Sequence, residues 1–170
     1  MKKFLYILFY PIIYVFNWFY KLQIKHFFKG VTIQKIDALT GRDFEQIVAL
    51  IFRFCGYRTK LTKASNDYGA DVIVKKGFKT IVVQTKLYYN HAVGGAAVSQ
   101  VASAKSYYNA DYACVVTNWK YSNQAKNLAE SQHVMLIDRG MIEEFLAVIK
   151  QNKKEKFFSS IYKFAVYKNV

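Results

Sequence analysis

Cysteine and proline are scarce in this chain: two Cys, Cys55 and Cys114, and one Pro, Pro11, stand among 170 residues. Two thiols cannot build a disulfide framework, and without a C-x-x-C or a Cys/His cluster there is no structural zinc site of the usual four ligands. A reducing compartment fits. Glycine is also sparse, at eight residues, which with the single proline rules out collagen-like and flexible-linker sequences. Acidic residues are few, 11 against 25 Lys and Arg. Apolar side chains are plentiful: 53% of residues are hydrophobic and 18% aromatic, more than an unfolded chain carries. The chain therefore packs, and its length allows one domain with appendages or two very small ones.

The formal charge of +14 is unevenly placed. Residues 36–149 hold 13 Lys and Arg against 10 Asp and Glu, whereas the two ends hold 12 Lys and Arg against Glu155 alone. Basic flanks suit an anionic membrane as readily as a polynucleotide. Phe4 to Tyr20 carry no formal charge, between Lys2 and Lys3 on one side and Lys21, Lys25 and Lys29 on the other. As a helix this run rises roughly 26 Å, near the lower limit for crossing a hydrocarbon core. Its tyrosines and Trp18 suit an interface, while Pro11 and Asn17 weaken a simple spanning helix. No small-residue cleavage site follows it, which speaks against a secretory signal. Residues 1–30 are therefore expected to form a membrane anchor through residues 4–20, the alternative being an aromatic helix packed on the domain. Lysine bias leans towards a membrane-associated protein with a cytoplasmic body. The basic aromatic tail, residues 151–170, fits lipid, DNA or the domain itself.

Between these flanks the pattern is α/β, over residues 36–150. Thr40 and Asp43 have the spacing of a capping box, and Phe44, Ile47, Val48, Ile51 and Cys55 recur at helical spacing before Gly56, predicting a helix over 41–55. Strands are predicted over 57–61, 71–74 and 80–86, the last two joined by a turn at Lys75 to Phe78. Helices over 96–108, 122–132 and 139–149 alternate with strands over 112–117 and 134–137. The order implies a mixed β-sheet flanked by helices.

Asp71 opens one strand, and Gln84, Thr85 and Lys86 close the strand paired with it. Strand alternation brings Gln84 and Lys86 out on one face with Thr85 turned away, and Asp71 lies across the ladder. A carboxylate, an amide oxygen and an ammonium at strand ends suit a hard cation such as Mg²⁺, which takes oxygen ligands and activates water. A hairpin with an ordinary surface Asp and Lys fits the spacing equally.

The runs Leu39 to Glu45, Gly56-Tyr57, Asn66 to Asp71, Val83 to Lys86, Val116-Thr117 and Leu136 to Asp138 resemble, in order, the catalytic domain of Mrr-like restriction endonucleases, a branch of the PD-(D/E)xK nucleases. The resemblance covers residues 36–149. It implies a restriction-endonuclease-like mixed sheet preceded here by the N-terminal hydrophobic helix, and Mg²⁺- or Mn²⁺-dependent hydrolysis of DNA phosphodiesters, of the type IV restriction kind that meets foreign or modified DNA. By position Asp71 matches the metal-binding aspartate, Gln84 the usual acid, Lys86 the motif lysine and Glu45 the helical acid. Asp71, Gln84 and Glu45 would hold the metal. Gln in that place is typical of the Mrr-like branch, although a neutral amide attracts the ion less than a carboxylate.

Other candidates are weaker. His26, His91 and His133 are scattered and without a nucleophile nearby. Gly94-Gly95 before a helix could present amides to an anion, Gln100 could face the site, Asp67 helps set the turn at Gly69, and Trp119, Lys120 and Tyr121 could stack on nucleic acid. Helix-turn-helix, zinc-finger and RNA-recognition patterns are absent. A homodimer stays open. The rival reading is a non-catalytic DNA-binding or membrane-tethering module that keeps the nuclease fold.

Overall fold

The computed structural model describes residues 22–63 and 68–151. The apolar run 4–20, Asp67 and the tail beyond Gln151 lie outside them. Among the described residues no helix is long and apolar enough to cross a membrane.

After helical residues 22–29, the elements are α1 (Ile33–Asp37), α2 (Gly41–Phe54), β1 (Arg58–Leu61), β2 (Val72–Lys76), β3 (Lys79–Lys86), α3 (Gly95–Tyr107), β4 (Tyr112–Thr117), α4 (Asn123–Ser131), β5 (Val134–Ile137) and α5 (Arg139–Gln151). The five strands form one sheet in the order β1-β2-β3-β4-β5. β1, β2 and β3 pair antiparallel, and β3, β4 and β5 pair parallel, giving the mixed sheet the sequence implies.

Both faces are covered. Val72, Val74, Ile81, Val83, Cys114, Val116 and Ile137 pack with the buried side chains of α1, α2 and α5, while Val82, Ala113, Val115 and Val134 pack against α3 and α4. Burial on two faces is why Ile81 to Val83 in β3 and Ala113 to Val116 in β4 are consecutive apolar residues rather than alternating ones.

α2 begins where expected, with the Thr40 hydroxyl accepting from Asp43 N at 3.2 Å and donating to Asp43 Oδ2 at 2.7 Å. Gly56, at φ +84°, follows its end. The β2–β3 turn is tighter than the four residues the sequence suggests. The ladder runs out to Lys76 opposite Lys79, leaving Gly77 and Phe78 as a two-residue turn that glycine at φ +58° permits.

The core reaches back before residue 36. Phe28 is completely buried, and Ile24, Ile33 and Ile36 join the same cluster. Part of the segment expected to serve only as an anchor therefore packs on the domain.

Candidate active site

Asp71 sits one residue beyond the last paired position of β2, where Val72 faces Val83. Its backbone is held from both sides: Asp71 N donates to Val83 O at 2.8 Å, and Asp71 O accepts from Thr62 N at 2.9 Å and Thr62 Oγ1 at 3.0 Å. Because the ladder stops there, the carboxylate takes the place a carbonyl would fill. Oδ2 accepts from Thr85 N at 2.6 Å, Thr85 Oγ1 at 2.8 Å and Gln84 Nε2 at 2.6 Å. Asp71, Gln84 and Thr85 are all buried. Thr85 is thus not turned away from the site as alternation suggested. A residue at a strand end lies beside neither face, so successive positions of β3 both reach it.

Lys86 ends β3 and is half-buried. Among the described residues, no hydrogen bond or ion pair holds its ammonium. Glu45, in the first turns of α2, accepts from Arg42 Nη1 at 2.5 Å, and the same nitrogen donates to Thr62 O at 3.2 Å. Arg42 and Thr62 therefore connect Glu45 to the backbone of Asp71. The structure brings Asp71, Gln84 and Lys86 to one sheet end, and Glu45 joins them through that relay.

Among the described residues no three His, Cys, Asp or Glu side chains cluster as metal ligands. The donors gathered here are of another kind: the Asp71 carboxylate, the Gln84 amide and the Thr85 carbonyl, 3.4 Å from Gln84 Nε2. Oxygen donors of this type fit Mg²⁺ or Mn²⁺. A half-turn of the Gln84 amide exchanges its nitrogen for its oxygen beside Asp71.

Asp71 is delivered by the preceding turn. Gly69 has φ +87°, and a Cβ there would stand 2.6 Å from Gln100 O, so only glycine lets the loop lie on α3. Gln100 itself is exposed, and its role is this close backbone approach.

The strand after the site is pinned by residues that sequence reasoning missed. Asn118, almost fully buried, accepts from Tyr88 N at 2.8 Å and donates to Tyr88 O and Asp37 Oδ1, each at 2.9 Å. Arg139 Nη1 donates to both Asp37 oxygens, at 2.9 and 3.0 Å, and to Asn118 O at 3.1 Å. Burial pushes the Asp37 carboxyl up, but the hydrogen bonds from Arg139 and Asn118 outweigh it and hold the group below its usual 3.8. Asn118 directly follows a buried strand, the one sequence signal that could have marked it.

Tyr121 is buried, its hydroxyl donating to Val115 O at 2.8 Å and Ile137 O at 3.1 Å. It ties β4 to β5 and does not present itself for stacking on nucleic acid. Trp119 Nε1 is enclosed without a partner among the described residues, its ring 5.8 Å from the Arg139 guanidinium. Lys120 is exposed. Gly95 lies against α4, where a Cβ would meet Leu128 Cδ2 at 3.1 Å, which gives it a packing role, whereas a Cβ at Gly94 would meet nothing within 4 Å. His91 Nδ1 lies 2.9 Å from Asn90 Oδ1, and His26 and His133 are exposed.

Asp71 just ahead of β2 and Gln84, Thr85 and Lys86 at the end of β3 thus form one polar cluster at the sheet end, with Glu45 linked to it through Arg42 and Thr62. The chain belongs to the restriction endonuclease family: the family model for the Mrr catalytic domain matches residues 36–146. No curated protein matches the chain. Two solved structures are similar to it. One is the crystal structure of a protein of unknown function, AF1548, with 17% identity, 57% of each chain covered and a TM-score of 0.47. The other is the MspJI restriction endonuclease in complex with a 27-mer oligonucleotide, with 19% identity, 85% of this chain and 34% of that one covered, and a TM-score of 0.47. The chain thus spans 57% and 34% of the lengths of these two proteins.

Proposed function

We propose that this chain is a divalent-metal-dependent DNA endonuclease, restriction-like in the type IV sense and tethered to a membrane through residues 4–20, its nuclease domain on the cytoplasmic side. The observation that carries the chemistry is the convergence of Asp71, Gln84, Thr85 and Lys86 at one sheet end, with Glu45 linked to them. Asp71 and Gln84 would hold Mg²⁺ or Mn²⁺ with help from Glu45. A bound ion supplies Lewis acidity and a water of lowered pKa. Lys86 would orient the attacking water, and its ammonium would offset charge building on the phosphate oxygens in the transition state. Asp71 also keeps the Thr85 amide and hydroxyl in place, so the sheet end is formed before substrate arrives.

Plasmid cleavage by the full chain, with Mg²⁺ against EDTA, tests this. Lys86→Ala and Asp71→Ala should each lower the rate by about a hundredfold or more, Lys86→Ala with the fold and most DNA binding kept. Undiminished cleavage in either variant sinks the assignment. The competing reading is a non-catalytic module, favoured by the three protein donors that already satisfy Asp71 Oδ2. DNA binding without cleavage under every divalent ion would establish it instead.

A further inference from the structure

The hairpin between β2 and β3 carries an arrangement the active site does not use. Phe78 in its turn is fully exposed, at 104%. Lys75, Lys76 and Lys79 around it are exposed as well. The ladder sets Lys76 opposite Lys79 and Arg58 opposite Lys75, and like charges directly opposite one another destabilise a sheet. Part of this charge is answered internally: Lys79 Nζ donates to Asp111 Oδ1 at 2.6 Å, and Lys76 Nζ lies 4.9 Å from the centre of the Tyr57 ring. Among the described residues Asp111 is the carboxylate paired with this group of four cations, and the tip is positive around an unburied aromatic ring.

The tip also stands far from the site. Lys79 and Lys86 are the two ends of β3, seven steps apart, or about 23 Å at 3.3 Å per residue.

We propose that this hairpin tip docks on an anionic lipid surface, with Phe78 entering the headgroup layer and the surrounding cations meeting lipid phosphates and carboxylates. Lipid fits better than nucleic acid because a duplex seated on Asp71 and Lys86 meets the opposite end of the sheet, and a protruding ring gains most from an apolar layer. Docking by the tip turns the cleavage site towards solution. The 12 Lys and Arg of the chain ends add charge of the same sign. The inference rests on the reading that the chain works at a membrane, but its test reads the hairpin separately.

Full-length protein carrying Phe78→Cys, labelled with an environment-sensitive fluorophore, is mixed with phosphatidylcholine vesicles with and without phosphatidylserine. Cys55 and Cys114 are buried, and burial pushes the Cys114 thiol up, so the label goes to position 78. Tyr89→Cys, an exposed position just past Lys86, carries the same label as a control. The label at 78 should shift to the blue and be quenched by doxyl groups on the acyl chains when phosphatidylserine is present, while the label at 89 stays in water. Lys75→Gln combined with Lys76→Gln should raise the lipid concentration for half-maximal shift by roughly thirtyfold. Water-like, unquenched emission at 78 on vesicles that hold the protein overturns the inference and leaves the membrane reading standing. Failure to bind any vesicle removes both. A shift produced by duplex DNA and not by vesicles overturns it in favour of a nucleic-acid contact.

Discussion

At Gln84 the structure exposes a tension that bears on the proposed metal binding. Its amide donates to Asp71 Oδ2 at 2.6 Å, and a carboxylate in its place would face Asp71 at that distance. Two ionised carboxylates so close repel, so one carboxyl of Gln84→Glu holds its proton to higher pH than a free one. A carboxyl raised in the fold adds stability below its unfolded value and loses it as pH rises through the folded value. The thermal midpoint of metal-free Gln84→Glu should therefore fall further behind the parent at pH 8 than at pH 5. Mg²⁺ should restore it, with half-saturation at lower concentration than in the parent; an unmoved or higher Mg²⁺ midpoint in folded protein counts against Gln84 as a ligand. Gly69→Ala acts at the same scale by different physics. Its Cβ would overlap Gln100 O, on a backbone of φ +87°, so the change should cost about 1–3 kcal/mol and lower cleavage, read by denaturant melts and plasmid assays side by side.

Among the elements, the short helix α1 has the least obvious task. It places Asp37 against Arg139 at the start of α5 and Asn118 after β4, so a single carboxylate joins three segments beside the loop that follows Lys86. Its carboxyl is held below 3.8, so its contribution is present above that value and disappears as pH falls through the lowered one. Asp37→Asn should destabilise the fold at pH 7 by about 1 kcal/mol or less, since water reaches the pair. The deficit should vanish in acid, and urea midpoints across pH 2 to 7, taken as roughly the span of carboxyl titration, check both parts.

For the whole molecule, the packed unit is larger than the recognisable motif. A fragment starting at residue 36 lacks Ile24, Phe28 and Ile33, all buried in the core, and loss of a buried Phe side chain alone costs about 3–5 kcal/mol. A fragment starting at residue 22 should melt clearly higher than one starting at 36. Equal melting temperatures would mean that helical residues 22–29 contribute nothing to the fold. This bears on any separation of anchor from chemistry, because a cut at residue 30 removes core as well as apolar run.

The order of helices and strands, the capped start of α2, the β2–β3 hairpin and the placement of Asp71, Gln84 and Lys86 at one sheet end were legible in the sequence, because each depends on neighbours a few residues away or on a short pattern. The contacts of Thr85 with Asp71, the Arg42 and Thr62 relay from Glu45, the Asp37–Asn118–Arg139 junction and the burial of Phe28 were not. Asp71 and Thr85, Arg42 and Thr62, Asp37 and Asn118, and Asp37 and Arg139 lie 14, 20, 81 and 102 residues apart, and no local periodicity encodes a partner at such range. Only the closing of the sheet, which stops the β2 ladder at Val72 and leaves Asp71 to cap it, decided that the carboxylate would be held by three donors.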